Sequence, residues 1–463
     1  MRPTLMDNVK HLYKRALQIA VPIMIQSGIT NFVSMLDNIM VGRVGTDPMS
    51  AVAIVNQLMF VWYLAIFGGM SGIGIFTAQF CGKKDHEGTR YTFRMMMMLS
   101  AILIVIGLIV FRAAGPQLIT FYLHEDGGVG NAAATLGFAR SYLGVMLIGF
   151  LPFAVSQSYS TVLRNSGETV IPMTASLSAV AVNLIGNYIL IYGKLGAPAL
   201  GVTGAAIATV ASRFVELAVI VIYTHRSHAK FPFIEGAFRS LRVPKSLLVS
   251  CIKKGSPLLL NETLWALAMA LLTQCYSFRG LSVVASMNIS NTISNVFNAT
   301  LISMGSAIGI LLGQELGMGH FDTVRKDAGR LALFAVLLCA VGAAALFIVG
   351  GFFPHVYRTS PEIQSTAAGL IRITALITPI NAYSNAAYFT IRSGGKTFIT
   401  FLFDSVFQLC VCFPVAYVLA HFTAVPILTM YLIVMLLDLI KCTIGFILVR
   451  KGVWINDITR YEA

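Results

Sequence analysis

Asp37 and Glu262 are carboxylates inside long apolar stretches, and neither has a cation within a helical turn along its own segment. A charge at mid-bilayer costs about 3 kcal/mol on insertion scales, so such a group faces protein or water and marks a site. A carboxylate without a basic partner can hold a proton, a sodium ion or an organic cation in turn. Amides accompany these acids at helical spacing. Asn288, Asn291, Asn295 and Asn298 are spaced three, four and three, and fall within about 80° of one another on a helix. Ser306 continues that face. Asn381, Asn385 and Tyr388 repeat the device, as do Asn183 and Asn187, and Asn261 precedes Glu262. Amides and carboxylates are hard oxygen donors suited to sodium and hydrated cations. Such a stripe lines either a water-accessible cavity or a polar helix contact, and we expect the cavity. Tyr383 and Tyr388 add aromatic faces for packing or cation–π contact.

Three further acids lie within apolar stretches. Glu216 has Arg213 three residues before it, and Asp438 has Lys441 three residues after it. This spacing puts each pair on one helix face and predicts two structural ion pairs. Asp404 lies within two turns of the basic end at Lys396, solvated or paired.

Helices of about 20 apolar residues must carry these groups across a hydrocarbon core of roughly 30 Å. Twelve such segments can be marked, near 16–40, 51–80, 92–111, 142–163, 172–192, 204–223, 258–276, 283–312, 331–352, 367–390, 398–419 and 424–449. The chain of 463 residues is 57% hydrophobic and only 11% charged, too few charges to cover a soluble surface. The expected fold is an all-α polytopic membrane protein with twelve transmembrane helices. Prolines interrupt several of them (Pro22, Pro152, Pro379 and Pro414), which a membrane bundle tolerates as kinks.

The two halves repeat each other. Pro22 pairs with Pro257, Gly74 with Gly309, Gln79 with Gln314 and Gly82 with Gly317 at one constant offset, and RNSGET (164–169) echoes RSGGKT (392–397). A duplicated helical bundle is the build of a secondary transporter, with its site where the repeats meet. The organisation read from this is an N-terminal six-helix lobe (1–223), a polar linker (224–254), a C-terminal six-helix lobe (255–450) and a tail (451–463), and a self-contained duplication fits a monomer.

A net charge of +14 invites a nucleic-acid reading, but position argues for positive-inside topology instead. The basic loops KKDHEGTRYTFR, THRSHAKFPFIEGAFRSLRVPK and DTVRKDAGR lie on the side of both termini, while Arg43, Lys194, Arg279 and Arg358 stand nearly alone opposite. Both termini are therefore expected in the cytoplasm. The basic N-terminus leads into an apolar stretch too long for a signal-peptide core, and is expected to remain as the first span. The seven cysteines show neither zinc spacing nor a disulfide framework and read as apolar packing residues. Met95 to Met98 read as lipid-facing filler. All eight histidines, His124 among them, lie in loops or near span ends, and there is no HExxH, P-loop or GxSxG. Hydrolytic and ATP-driven chemistry lack their parts here, and no cofactor is expected.

With Pro22, Asp37 and VGRVGTD on the first span, AQFCGKKD after the second, VLRNSGETVIP between the fourth and fifth, VNLIGNYILIYGKLGAPALGVTGAAIAT in the fifth and sixth, RSGGKT, and GVW near the end, the chain resembles the multidrug and toxic compound extrusion (MATE) family over nearly its whole length. The resemblance implies two pseudosymmetric six-helix lobes in a V, alternating access, and export of organic cations or other amphiphiles against inward sodium or protons, across a bacterial inner (plasma) membrane. It implies that Asp37, with Asn183, Asn187 and Thr209, forms an ion-coupling site in the N-terminal lobe that could hold sodium. It also implies that Glu262 matches the carboxylate of the sodium-coupled branch. Asn381 stands where that branch has an aspartate, which weakens a C-terminal ion site and shifts the main coupling role to Asp37. The rivals are a lipid-linked precursor flippase, which needs cavity arginines where only Arg213 and Arg372 are candidates, a membrane-embedded transferase, and a nontransporting sensor or scaffold.

Overall fold

The computed structural model describes residues 5–122, 131–357 and 359–460. Arg358 and His124 lie outside the described residues, as do residues 1–4 and 461–463. Among the described residues, twelve helices are long and apolar enough to cross a membrane. They are α1 (Val9–Gly42), α2 (Thr46–Lys83), α3 (His86–Phe121), α4 (Ala132–Asn165), α5 (Val170–Tyr192), α6 (Gly201–Arg226), α7 (Lys245–Ser277), α8 (Ser282–Gly317), α9 (Phe321–Val349), α10 (Pro361–Ser393), α11 (Thr397–Phe422) and α12 (Ile427–Lys451). Ten contain the segment marked from the sequence, α9 stops three residues short of the marked end at 352 and α12 starts three residues after the marked start at 424. Most helices extend beyond the marked stretch because polar turns at the ends continue the helix past the apolar core. No strand occurs among the described residues. Large apolar side chains such as Ile109, Val341 and Leu376 face outward, as lipid-facing residues do.

Prolines reshape two helices. In α4 a 3-10 turn at Leu147–Gly149 precedes Pro152. In α11 two π-helical stretches, Leu402–Val406 and Gln408–Cys412, run up to Pro414. Pro414 has no N–H to offer the preceding turn, and the rewound stretch alters which side chains α11 presents.

The chain divides into two compact units. One comprises 25–77 and 86–248, the other 1–24, 78–85 and 249–462. Helices α1 and α2 each contribute to both, and the sequence boundary after Leu248 falls inside the stretch 224–254.

In the first unit, α5 packs along α6. Gly204 lies so near the Leu190 carbonyl, and Gly186 so near the Ala208 side chain, that a Cβ at either glycine would overlap its neighbour. Small residues let two backbones approach, and this brings the polar faces of α5 and α6 within reach of each other. Trp62 stacks on Phe150 at 3.8 Å and donates to the Leu103 carbonyl at 2.9 Å. The stretch after α6 is a folded cap: Arg94 on α3 donates to the carbonyls of Gly236, Ala237 and Arg242 at 2.8, 2.8 and 3.0 Å. Met95 and Met96 are buried, so the methionine run is half core rather than lipid-facing filler; α3 packs against α4 and the cap.

In the second unit, α10 is the central helix and packs on α8, α9 and α12. The first turns of α1 (Leu12, Ala16, Ile19, Ile23) belong to its core together with Leu311, Leu316 and Ala328. The repeated Gln and Gly positions explain themselves here. A Cβ on Gly82 would collide with the Gln314 backbone carbonyl, and one on Gly317 with the Gln79 carbonyl. The end of α2 and the end of α8 thus cross reciprocally, each supplying the glycine the other requires.

The tail docks on this crossing. Trp454 is fully buried. The Gln79 side chain donates to the carbonyls of Ser393 and Asn456 and accepts from Ile458 N–H at 2.9 Å, and Lys83 pairs with Asp457 at 3.0 Å. Burial disfavours the Asp457 charge, but hydrogen bonds from Thr459 and Lys83 outweigh it and hold the carboxyl below its ordinary value. A lowered carboxyl stabilises docking above the unfolded-chain value, and that contribution is lost as pH falls through the folded value. Tail protection in hydrogen exchange is therefore expected to be constant from neutral pH down to about pH 5 and to decline below the ordinary carboxylate range near 3.8. Asp457→Asn should lower protection at neutral pH and flatten that decline; an unchanged decline would assign it elsewhere.

Candidate functional site

In the first unit, Asp37 projects from α1 toward α5 and α6. Its Oδ1 accepts from Asn187 Nδ2 at 2.7 Å. Asn183 and Asn187 sit one turn apart on α5, 5% and 1% exposed. Asn183 bridges Asp37 and Thr209 of α6. Carboxylate oxygens only accept, so the Asn183 amide is assigned with its nitrogen toward Asp37, 3.0 and 3.1 Å from the two oxygens, and its oxygen 3.2 Å from Thr209 Oγ1. The four residues Asp37, Asn183, Asn187 and Thr209 are thus gathered into one polar cluster. The close approach of α5 and α6 makes this possible, and the hydrogen bond from Tyr192 Oη to the Met40 carbonyl (3.0 Å) ties the end of α1 to α5.

No basic group lies within ion-pair distance of Asp37 among the described residues. Arg213, the cation on the adjoining helix, is engaged by Glu216 at 3.0 Å, as its spacing predicted, and lies over the Phe153 ring. The Asn187 Oδ1 atom is enclosed and has no donor among the described residues. A half-buried carboxylate, an undonated amide oxygen and a hydroxyl form a hard-oxygen set able to receive a small cation or a proton. Residues outside the expected set also enter this unit's polar interior: Arg164, at the end of α4, donates to Gln26 of α1 at 2.8 Å.

The second unit holds a different arrangement. Asn261 is 2% exposed and its side chain is bonded throughout. It donates to Asp404 Oδ2 (3.2 Å) and Tyr388 Oη (3.4 Å), and its oxygen accepts from Ser405 Oγ (2.7 Å). Asn261 and Tyr388, expected to line a substrate cavity, both lie in the interior, where α7, α10 and α11 meet. Lys441 of α12 pairs with Asp404 at 2.7 Å, not with Asp438. In the π-rewound α11 Asp404 reaches α12, and the Asp438 Oδ1 atom is enclosed without a donor. Glu262 is half-buried, with Arg392 and Asp404 near enough to act on its charge, but no basic group is within ion-pair distance among the described residues. Arg392 lies over the Tyr388 and Phe389 rings.

On α8, Asn288, Asn291 and Asn295 are exposed and Asn298 is half-buried, so the amide stripe is an open face. Asn381 and Asn385 on α10 are half-buried, each with an enclosed oxygen lacking a donor, and Tyr383 is half-buried near Phe446. Arg372 is exposed and lies over Phe347. With Arg213 held by Glu216, neither arginine offers the cluster a pyrophosphate would need. Among the described residues no group of His, Cys, Asp and Glu forms a metal cluster.

Sequence reasoning missed the Asp404–Lys441 pair and the Arg164–Gln26 contact. The three-residue spacing of Asp438 and Lys441 pointed within one helix, whereas the bond runs between helices. A usable signal was present in the repeat: at the offset relating Pro22 to Pro257, Gln26 falls on Asn261.

A family model, MatE, matches residues 22–189 and 257–418. The "Probable multidrug resistance protein YoeA" of Bacillus subtilis is 26% identical over 427 residues, covering 88% of this chain and 87% of that protein. The "Probable multidrug resistance protein NorM" of Thermotoga maritima is 23% identical over 453 residues, covering 97% and 94%. Among solved structures, a MATE protein in complex with MaL6 superposes with a TM-score of 0.84 at 19% identity, covering 96% of this chain and 97% of that one. An outward-facing multidrug resistance MATE transporter of the MOP superfamily gives 0.84 at 19%, covering 96% of both. Two family-model matches, one in each repeated half and together spanning most of the sequence, place this chain in the MATE family of multidrug efflux transporters.

Proposed function

We propose that the protein is a secondary active exporter that moves organic cations or other amphiphiles out of the cell by antiport with sodium or protons. The observation that carries this reading is the Asp37 cluster, a carboxylate held by two amides, without an ion pair among the described residues, beside an undonated oxygen. Ionised, Asp37 attracts a cationic substrate or a coupling ion, and the two compete for the same oxygens. Transport needs the coupling ion and the substrate to differ in affinity for the two access states. Asn183, Asn187 and Thr209 orient the carboxylate. Glu262 contributes to substrate attraction from the other half. The amide faces of α8 and α10 (Asn288, Asn291, Asn295, Asn298, Asn381 and Asn385) present polar groups to the substrate, with Tyr383 as an aromatic surface.

In this reading 1–223 and 255–450 act as two transport lobes joined by 224–254. The protein works as a monomer in the bacterial inner membrane, with 451–463 and the N-terminus in the cytoplasm. Asn187→Leu keeps most of the volume but removes a donor and an acceptor next to Asp37. A polar contact to a charged group is worth about 1.5–3 kcal/mol, so loss of the Asn187 oxygen should raise the half-maximal sodium concentration by about tenfold or more. The check is ethidium efflux from energised cells against graded sodium and against graded pH. Unchanged half-maximal values for both ions would remove Asn187 from the site.

A further inference from the structure

The antiport reading leaves one buried charge without a task. Lys441 is 8% exposed, and its ammonium lies 2.7 Å from Asp404 Oδ1. Around it the second unit assembles oxygens: the second Asp404 oxygen, held by Asn261 at 3.2 Å, and the enclosed, undonated Asp438 Oδ1 one turn earlier on α12. Asn261 is fixed in turn by Ser405, and Glu262 follows it in sequence. Asp404 is in the π-rewound part of α11. Its side chain is 19% exposed, so the pair is not sealed from small solutes.

The repeat sharpens the meaning. At the spacing that relates Arg164 to Arg392, Arg213 of α6 falls on Lys441 of α12. Each half thus carries one basic side chain at this place. In the first unit Arg213 is engaged by Glu216 within its own helix, and Asp37 has no ion pair among the described residues. In the second, Lys441 crosses to another helix and fills the carboxylate. An ammonium is a compact point charge with three donors, the closest a side chain comes to a monatomic cation.

We propose that Lys441 is a tethered counter-cation. Its ammonium occupies at Asp404 the position an exchangeable cation would otherwise take, so the second unit binds no coupling ion there while Lys441 is present. This rests on the antiport reading for its place in transport, but it is testable without it. The experiment is direct binding of radioactive sodium to the purified full-length protein at fixed neutral pH, with every variant built on Asp37→Asn. Lys441→Met is expected to gain one saturable sodium per chain relative to its parent, and adding Asp404→Asn should abolish that gain. No gain in a folded Lys441→Met chain would overturn the proposal. Removing the lysine leaves carboxylates unpaired, so the thermal midpoint is also measured in sodium chloride and in choline chloride. Selective stabilisation of Lys441→Met by sodium supports the proposal, and equal instability in both salts refutes it. On the otherwise natural chain, a loss of bound sodium on Asp404→Asn would equally refute it, by showing that sodium already sits there. Retained sodium-driven efflux in Asp37→Asn would sink the antiport reading and leave the Lys441 result to stand or fall on its own arms.

Discussion

Asp37→Asn is expected to reduce ethidium efflux to the level of cells lacking the transporter, with the variant still present in the membrane at normal abundance. The amide can keep accepting from Asn187, so the α1–α5 contact survives and folding is little affected. What disappears is the negative charge. Neither sodium nor a proton then has a reason to displace a cation from the cluster, and competition between the two ligands ends. A charge-assisted contact is worth about 1.5–3 kcal/mol, so ion affinity should fall by at least about tenfold, and the coupled rate by more because the access change depends on that binding. Asp37→Glu, which restores charge with a longer stem, should recover part of the activity. Wild-type export rates in Asp37→Asn would remove this residue from the mechanism.

The second large effect concerns the crossing of α2 and α8. Gly317→Ala places a methyl against the Gln79 carbonyl, and Gly82→Ala does the same against Gln314. These obstacles are backbone, which cannot swing aside as a flexible side chain can. Overpacking typically costs about 1–3 kcal/mol, and each single variant is expected at the top of that range, read as a lowered thermal midpoint of the purified protein. The double variant should cost clearly less than the sum, since separating the helices for one methyl makes room for the other. Gly329→Ala is the control: a Cβ there meets nothing within 4 Å, and alanine favours a helix. Equal midpoints for Gly317→Ala and Gly329→Ala would mean that the crossing is looser than described.

Span number and position were legible from the sequence because apolar length is a property of local composition. Asp37, Asn183 and Asn187 were also visible one by one, since uncompensated polar groups in apolar helices announce themselves singly, while their gathering around Asp37 entered through the family resemblance. Thr209 entered only through family resemblance, because a threonine in a membrane helix bonds its own backbone, as it does here with Ala205, and carries no pattern. The Asp404–Lys441 pair was hidden for a different reason. Helical spacing describes neighbours on one helix, and the partner of Lys441 lies on another. The π-rewound geometry of α11 that presents Asp404 leaves only Pro414 as a trace in the sequence. The hydrogen bonds that Asn261 makes to Tyr388, Asp404 and Ser405 were not legible, because polarity alone does not reveal a side chain's partners.

The most direct test of the central claim is substrate counterflow in proteoliposomes holding the wild-type chain or Asp37→Asn, with a sodium gradient or a proton gradient imposed alone. The account predicts that at least one inward gradient drives ethidium movement through the wild type, and that neither gradient drives it through Asp37→Asn. Gradient-driven movement that is the same in both proteins would contradict it.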